Sequence, residues 1–113
     1  MHEMSLMAGV FKIVEEILDQ HEIKRVVQIK LRVGELTNAE PAALHLAFAA
    51  YAQGTKAEGA ELVIEQVPVQ ARCRSCGREF SVHGIFFLCP YCQTTGLEIL
   101  QGEELLIESL EVE

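Results

Sequence analysis

The sequence predicts an α+β fold, in which a small three-stranded sheet and two helices carry an inserted, zinc-ribbon-like module with four cysteines. Hydrophobic residues recur with the period of a helix over residues 4–20 and alternate with polar residues in other segments, as in half-buried strands. All four cysteines lie within residues 73–92, after two predicted helices and two predicted strands. The chain has 113 residues, half of them hydrophobic, which is enough for one small packed domain and a metal-stabilised module.

The first predicted element is an amphipathic helix over residues 4–20. Gly9 lies inside this helix, where glycine costs about 1 kcal/mol relative to alanine, so we expect another part of the chain to pack closely against it. Apolar residues at three- and four-residue steps form one stripe along the helix, namely Met7, Val10, Phe11, Val14, Ile17 and Leu18.

A strand over residues 25–33 follows, because apolar and polar side chains alternate there until Gly34. The segment from Thr37 to Glu40 has the form of a capping box, and Pro41 suits the first turn of a second helix. This helix is predicted to end near Ala52.

The second helix is apolar at almost every position from 42 to 52. We expect burial on more than one side, because large side chains are spread around the helix. Its surface is also a candidate for self-association, so a homodimer is an alternative to a monomer. The large side chains are Leu44, Leu46, Phe48 and Tyr51.

Two further strands are predicted, over residues 60–67 and 104–113. Pro68 ends the first of them. The apolar alternation of the second changes phase near Ile107, where a β-bulge would restore it. The last strand needs a sheet to join, so we expect it to pair with the earlier strands. The predicted domains are therefore residues 1–68 with 101–113, and an inserted module over 69–100.

The four cysteines form two Cys-x-x-Cys pairs separated by twelve residues, Cys73 with Cys76 and Cys89 with Cys92. Four thiolates at this spacing can bind one tetrahedral zinc ion. Gly77 suits a turn that needs a positive φ. Two disulfides or a thioredoxin-like redox pair are the alternatives, but disulfides need an oxidising compartment and the redox motif is normally a single pair. Apolar residues between the two pairs are predicted to cover the metal and form a miniature core: Phe80, Val82, Ile85, Phe86, Phe87 and Leu88.

The net charge of −8 argues against binding to nucleic acid, and four thiolates around one Zn²⁺ would add two further negative charges. Arg72, Arg74 and Arg78 form a local basic cluster beside the first cysteine pair. No apolar run has the length of a membrane span, and the N-terminal residues lack the architecture of a signal peptide. These observations predict a cytoplasmic protein that does not bind membranes.

The N-terminal residues Met1, His2 and Glu3 form a second set of candidate ligands. An α-amino group, the backbone nitrogen of residue 2 and the imidazole Nδ1 can close adjacent chelate rings around one metal ion. Nitrogen ligands in a plane suit Ni(II) or Cu(II). The alternative interpretation is an exposed, frayed terminus.

Together, several motifs resemble the HypA/HybF family, whose members are nickel metallochaperones for [NiFe]-hydrogenase maturation and in some organisms also serve urease. These motifs are Met1-His2-Glu3, Gly34-Glu35-Leu36, residues 54–62 and the cysteine module. The resemblance extends over essentially the whole chain. It implies an α+β nickel domain with an inserted structural zinc domain.

The resemblance also implies roles for individual residues. Nickel would be bound by the Met1 amine and His2, with Glu3 in or beside its coordination shell, and Glu40 falls at an acidic position near the nickel site of some relatives. Cys73, Cys76, Cys89 and Cys92 would bind zinc. The implied partners are a nickel-handling GTPase and the precursor of the hydrogenase large subunit.

Two other functions stay open on the sequence. One is a zinc-ribbon adaptor that binds a protein or nucleic acid and needs no second metal. The other is a thiol-disulfide oxidoreductase. The sequence contains no Ser-His-Asp set, phosphate-binding glycine loop or HExxH motif, so we expect a binding protein and not an enzyme.

Overall fold

A computed structural model of the chain describes residues 2–84 and 87–113. The predictions made for Met1, Ile85 and Phe86 therefore lie outside the described residues. The predicted α+β class is confirmed. In chain order the elements are α1 (His2–Gln20), β1 (Val26–Gly34), a short 3₁₀ helix (Glu35–Thr37), α2 (Pro41–Ala52), β2 (Glu61–Val67), β3 (Val69–Cys73), β4 (Glu79–Val82), β5 (Leu97–Gln101) and β6 (Leu105–Val112).

The chain forms two compact units. The first contains Met1–Arg32, Ala39–Glu65 and Leu105–Glu113, and the second contains Val33–Asn38 and Gln66–Glu104. The predicted domain boundaries, 1–68 with 101–113 and 69–100, stay a prediction.

A three-stranded sheet has the order β2-β1-β6, so the last strand pairs with the first one as predicted. In the first unit α1 packs against α2, and the ring centroid of Phe11 lies 5.4 Å from that of Phe48 and 5.6 Å from that of Tyr51. The burial along β6 alternates and changes phase between Ile107 and Leu110. The bulge near Ile107 stays a prediction. Side chains with no solvent exposure form the core of this unit: Met7, Val14, Ile29, Leu31 and Leu44.

The first helix differs from its prediction at two places. It begins at His2 and not at residue 4. Gly9 is exposed, and a Cβ built on it would meet no atom within 4 Å. The prediction that another segment packs closely against Gly9 is therefore wrong, and this glycine only lowers the helix propensity.

The start of α2 also differs from the predicted capping box. Pro41 is the first residue of the helix, as predicted, but the N-cap is Glu40, whose own side chain accepts a hydrogen bond from the Ala42 N–H at 3.4 Å. Thr37 instead ends the 3₁₀ helix, and its hydroxyl donates to the Gly34 carbonyl at 2.8 Å. The left-handed conformation of Asn38, with φ of 56°, separates the two helices.

The predicted two-sided burial of α2 is wrong at Leu46. This side chain is 74% exposed, whereas Leu44 and Phe48 on the inward face are buried. Alanines make the helix look uniformly apolar, but small apolar side chains are tolerated at a surface. Self-association through this helix stays a prediction.

The second unit contains an antiparallel sheet of order β4-β3-β5 that the sequence analysis did not predict. The predicted miniature core is confirmed at Phe80, Val82 and Phe87, but Leu88 is 44% exposed. Buried Val69, Ala71 and Val82 form the centre of this core, and Leu36, Phe80, Phe87, Leu97 and Ile99 pack around it.

A close backbone approach within the second unit requires glycine at position 34. A Cβ on Gly34 would lie 2.1 Å from the carbonyl oxygen of Gly102. The Gly34 N–H donates to the Glu104 carbonyl at 2.7 Å, and the Leu36 N–H donates to the Gly102 carbonyl at 2.8 Å. Backbone hydrogen bonds therefore join the end of β1 and the segment after it to the segment between β5 and β6.

Candidate metal centres

The first cysteine pair is held by a tight turn at the end of β3. The Gly77 N–H donates to the Cys73 carbonyl at 2.8 Å, and the Cys73 N–H donates to the Arg78 carbonyl at 2.9 Å. Gly77 has φ of 77°, which confirms the positive φ predicted for it. This turn brings the side chains of Cys73 and Cys76 together.

The second cysteine pair repeats the same turn. The Gln93 N–H donates to the Cys89 carbonyl at 2.8 Å, and the Cys89 N–H donates to the Thr94 carbonyl at 3.0 Å. Gln93, with φ of 62°, takes the conformation that Gly77 has in the first turn. We call the two turns, residues 73–78 and 89–94, the first and second knuckles.

The four cysteine sulfurs converge between the knuckles, and all of them lie within 4.8 Å of one another. The Sγ atoms of Cys73 and Cys92 are 3.4 Å apart, and those of Cys76 and Cys89 are 3.6 Å apart. A tetrahedral zinc ion with Zn–S bonds of about 2.3 Å places sulfurs about 3.8 Å apart. The arrangement therefore fits one four-coordinate zinc ion.

The surroundings of Cys73 and Cys76 shift the pKa values of these two thiols in opposite directions. The Thr94 hydroxyl and the Cys76 N–H lower the pKa of Cys73 to about 5. The Arg78 N–H favours the Cys76 thiolate, but burial and the neighbouring cysteine sulfurs outweigh it and raise the pKa of Cys76 to about 11. Thiolates this close repel one another, so full ionisation of the set requires a cation among them.

Cys89 is buried, which opposes ionisation, yet the N–H groups of Cys92 and Tyr91 hold its pKa below the usual value. Donors from the knuckle backbone thus favour thiolates at two of the four positions, Cys73 and Cys89. This is the electrostatic environment of a metal ligand set, since metals bind the thiolate form.

Thr94 is the residue of this site that the sequence analysis missed. Its Oγ1 lies 3.3 Å from the Sγ of Cys73 and 3.3 Å from the Sγ of Cys92. A threonine shortly after a cysteine pair carries no distinctive sequence signal, because its role depends on which side chain the second knuckle turns toward the first.

The predicted basic cluster is divided among different partners. Arg72 pairs with Glu79 at 3.1 Å and with Glu98 at 3.2 Å on the β4-β3-β5 sheet. The Arg78 guanidinium lies over the Tyr91 ring, 4.5 Å from its centroid, which joins the two knuckles by a cation–π contact.

The second candidate centre lies at the start of α1. His2 is exposed on the first residue of the helix. The Glu3 carboxylate accepts a hydrogen bond from the Glu40 N–H at 3.1 Å, which holds the pKa of Glu3 below its usual value. The structure therefore brings Glu3 to the N-cap of α2, where the exposed Glu40 side chain caps Ala42.

Within residues 2–84 and 87–113, the four cysteines are the one set of three or more His, Cys, Asp or Glu side chains whose ligand atoms converge as in a metal site. The side chains of His2, Glu3 and Glu40 do not form such a set. The nickel ligands expected from the resemblance also include backbone and terminal nitrogens, so that ligand set stays a prediction.

None of the helices in the described part of the chain is long and apolar enough to cross a membrane.

The family model described as "Hydrogenase/urease nickel incorporation, metallochaperone, hypA" matches residues 1–112. Among curated relatives, the hydrogenase maturation factor HypA of Desulfitobacterium hafniense is 63% identical over 113 residues, covering 100% of this chain and 99% of the relative. The factor of the same name from Geobacter metallireducens is 42% identical and covers 100% of both chains.

Two solved structures share the fold. The solution structure of the nickel metallochaperone HypA from Helicobacter pylori has a TM-score of 0.70 at 22% identity and covers 99% of this chain and 97% of that one. A second structure, described as the solution structure of HypA protein, has a TM-score of 0.73 at 23% identity and covers 99% and 96% of the two chains. With the whole sequence matched and the fold shared, the chain belongs to the HypA family of hydrogenase/urease nickel incorporation metallochaperones.

Proposed function

We propose that this protein binds Ni(II) at its N-terminus and delivers it during the maturation of a [NiFe]-hydrogenase, as a binding protein and not an enzyme. The observation that carries the proposal is the family match, which begins at residue 1 and so includes Met1, His2 and Glu3. Delivery to urease is a second use that the family description suggests.

The proposed nickel ligands are the Met1 amine, the backbone nitrogen and imidazole of His2, and Glu3. Nitrogen ligands in a plane suit Ni(II) and do not suit the tetrahedral preference of Zn²⁺. His2 supports this role because it is exposed in the first turn of α1. Backbone N–H groups of a first turn have no acceptor within their helix, so nickel binding there breaks no helical hydrogen bond.

The position favours a site that can also release its metal. A cation at the N-terminus of α1 is opposed by the helix dipole. The negative charges of Glu3 and Glu40 partly offset this repulsion. Because the Glu3 carboxylate already accepts a hydrogen bond from Glu40, direct coordination by Glu3 would compete with that bond. A site balanced in this way binds through its nitrogens and still transfers nickel to a partner.

We assign the four cysteines to a structural zinc ion. A Cys₄ site is closed and leaves no open position for a substrate. Among the described residues, three buried side chains form the centre of the core of the second unit, and we propose that metal binding adds folding free energy to it. Reduced thiols also suit the cytoplasm, where we place the protein.

The proposed partners are a nickel-handling GTPase and the precursor of the hydrogenase large subunit. The net charge of −8 would speed association with a partner whose docking face is basic. Neither nucleic acid nor a membrane is among the proposed partners.

The test is a nickel titration by calorimetry of the zinc-loaded protein with its native N-terminus, His2→Ala, and a form extended at the N-terminus. His21→Ala is the matched control, because His21 is an exposed histidine just after the other end of α1. We expect the native protein and the control to bind nickel stoichiometrically, and the other two forms to lose nickel while they keep zinc. Equal behaviour of all four would reject the nickel site and favour a zinc-ribbon adaptor.

A further inference from the structure

We propose that Thr94 is a positioning residue of the cysteine centre, whose hydroxyl donates a hydrogen bond shared by the thiolates of Cys73 and Cys92 and so strengthens zinc retention. The proposal rests on the assignment of zinc to the four cysteines under Proposed function.

The two sulfurs that Thr94 contacts come from different knuckles. Its Oγ1 lies 3.3 Å from the Sγ of Cys73, in the first knuckle, and 3.3 Å from the Sγ of Cys92, in the second. These two sulfurs are themselves 3.4 Å apart. The hydroxyl therefore lies over one edge of the sulfur tetrahedron, at a place where the two halves of the site meet.

With metal bound, the direction of the hydrogen bond is fixed by chemistry. A metal-bound thiolate carries no proton and can only accept, whereas a threonine hydroxyl has one proton to donate. Thr94 must then be the donor to both sulfurs, either through one shared hydrogen bond or by alternating between them. Charge-assisted hydrogen bonds of this kind are stronger than those between neutral groups.

The backbone of Thr94 fixes where its hydroxyl points. The Thr94 carbonyl accepts a hydrogen bond from the Cys89 N–H at 3.0 Å, which closes the second knuckle. The same turn therefore sets the position of the buried Cys89 sulfur and of the half-buried Thr94 side chain. The hydroxyl is held ready for the thiolates and loses little freedom when zinc binds.

The donor matters because the centre is electron-rich. Four thiolates around Zn²⁺ carry a net charge of −2, within a chain whose net charge is already −8. A hydroxyl proton between two thiolates withdraws part of that charge and attracts both sulfurs, which reduces the repulsion between them. Groups that orient metal ligands in this way typically contribute about 10–100-fold in metal affinity.

The test compares the affinity of the full chain for zinc in four proteins by competition with a chromophoric chelator under reducing conditions. T94V removes the hydroxyl and keeps the side-chain shape, and T94S keeps the hydroxyl. T95V is the matched control, since Thr95 is the adjacent, exposed threonine. We expect T94V to bind zinc about 10-fold more weakly or worse, while T94S and T95V stay close to the wild-type protein.

Replacing zinc by cobalt(II) gives a second measurement, the energy of the sulfur-to-cobalt charge-transfer band. A general loss of protein stability would not shift this band in the same way. Loss of a hydrogen bond to a thiolate raises the energy of the sulfur electrons. The sulfur-to-cobalt charge-transfer band of T94V should therefore move to lower energy than that of the wild-type protein. T94S and T95V should keep the wild-type band.

Wild-type zinc affinity and an unshifted cobalt band in T94V would overturn the role of Thr94. So would a T94S protein as weak as T94V, because the hydroxyl would then not be the cause. A T94V chain that no longer folds with zinc, beside a T94S chain that does, would support the role, since valine keeps the shape. If the wild-type protein holds no zinc, or C73S keeps it, the zinc assignment itself fails, which is distinguishable from failure at Thr94 alone.

Discussion

The carboxylate of Glu3 and the backbone N–H of Glu40, 37 residues apart in the chain, are joined by a hydrogen bond of 3.1 Å. Glu3 lies in the first turn of α1, and Glu40 is the N-cap of α2. The bond therefore ties the starts of the two helices together, beside the proposed nickel ligand His2. A nickel ion that recruited the Glu3 carboxylate would act on α2 as well as on α1.

The first prediction concerns the pKa of Glu3, which the Glu40 N–H lowers. Because the folded-state pKa lies below the unfolded one, ionised Glu3 stabilises the fold above the unfolded pKa, and this contribution is lost as the pH falls through the folded pKa. Carboxyl-carbon NMR should give a titration midpoint of Glu3 below the ordinary value of a glutamate carboxyl. The methyl signals of Met7 and Leu44 would report that the core stays folded during the titration.

Two substitutions at position 40 test the cause of that shift. Glu40→Pro removes the N–H donor, and φ of −85° at this position is close to the range that proline adopts. Glu40→Gln keeps the donor and removes the charge. We expect the pKa of Glu3 to rise in Glu40→Pro and to stay low in Glu40→Gln. A low value in both would show that the hydrogen bond is not the cause.

The second prediction concerns Gly34, where a Cβ would lie 2.1 Å from the Gly102 carbonyl oxygen. The atom that this Cβ would meet belongs to the backbone, so no flexible side chain can move to relieve the clash. We expect Gly34→Ala to lower the free energy of unfolding by about 3 kcal/mol or more, as measured by urea denaturation of the zinc-loaded protein.

Gly9→Ala is the control, for which we expect the free energy of unfolding to rise instead of fall. A Cβ on Gly9 would meet no atom within 4 Å, and the residue is exposed in the interior of α1. Alanine should stabilise the fold by about 1 kcal/mol through helix propensity. A destabilised Gly9→Ala protein would mean that this face of α1 has a packing partner after all.

The third prediction is that zinc holds the second unit together. Removing the metal with a chelator under reducing conditions takes away the ion to which all four converging sulfurs would bind, and with it the link between the two knuckles. Amide hydrogen exchange should show loss of protection in β3, β4 and β5, while α1 and the buried part of α2 keep theirs. Cys73→Ser should reproduce this pattern. Protected β3 amides in the metal-free protein would contradict the structural role of zinc.

The helices, the three strands of the first sheet and the cysteine centre could be predicted from the sequence because each has a strong local signal. Helical periodicity identified α1, alternation identified β1, β2 and β6, and cysteine spacing identified the knuckles. The second helix, α2, was identified by Pro41 and the polar residues before it. The sheet β4-β3-β5 was missed because its strands have four or five residues each, too few for alternation to be distinguished from chance.

Other features depend on contacts between distant residues, which no local pattern contains. The predicted capping box is wrong because the Thr37 hydroxyl donates a hydrogen bond to the Gly34 carbonyl. Glu40 is therefore the N-cap of α2. The Thr94 contact with Cys73 joins residues 21 positions apart. Composition does not show that Leu46 is exposed, because the alanines of α2 hide which of its faces is buried.

The fourth prediction uses two leucines of that helix. Leu44 is fully buried and Leu46 is 74% exposed. Leu44→Ala should cost about 2–5 kcal/mol of unfolding free energy, as other core truncations do, whereas Leu46→Ala should change it by less than about 0.5 kcal/mol. Analytical ultracentrifugation of Leu46→Glu also tests self-association, because a dimer formed through this face should dissociate. An unchanged dimer would locate the interface elsewhere.

The fifth prediction concerns the pH dependence of nickel binding. Nickel competes with protons for amine and imidazole nitrogens, which in model peptides bind protons with pKa values of about 7.7–8.0 and 6.5. Binding at the Met1 amine and His2 must therefore release protons, and nickel affinity should fall as the pH drops below about 7. Calorimetric titrations in buffers of different ionisation enthalpy would count the released protons. A nickel affinity that stays constant between about pH 6 and 8 would mean that these nitrogens are not the ligands, and it would direct the search to carboxylates such as Glu3 and Glu40.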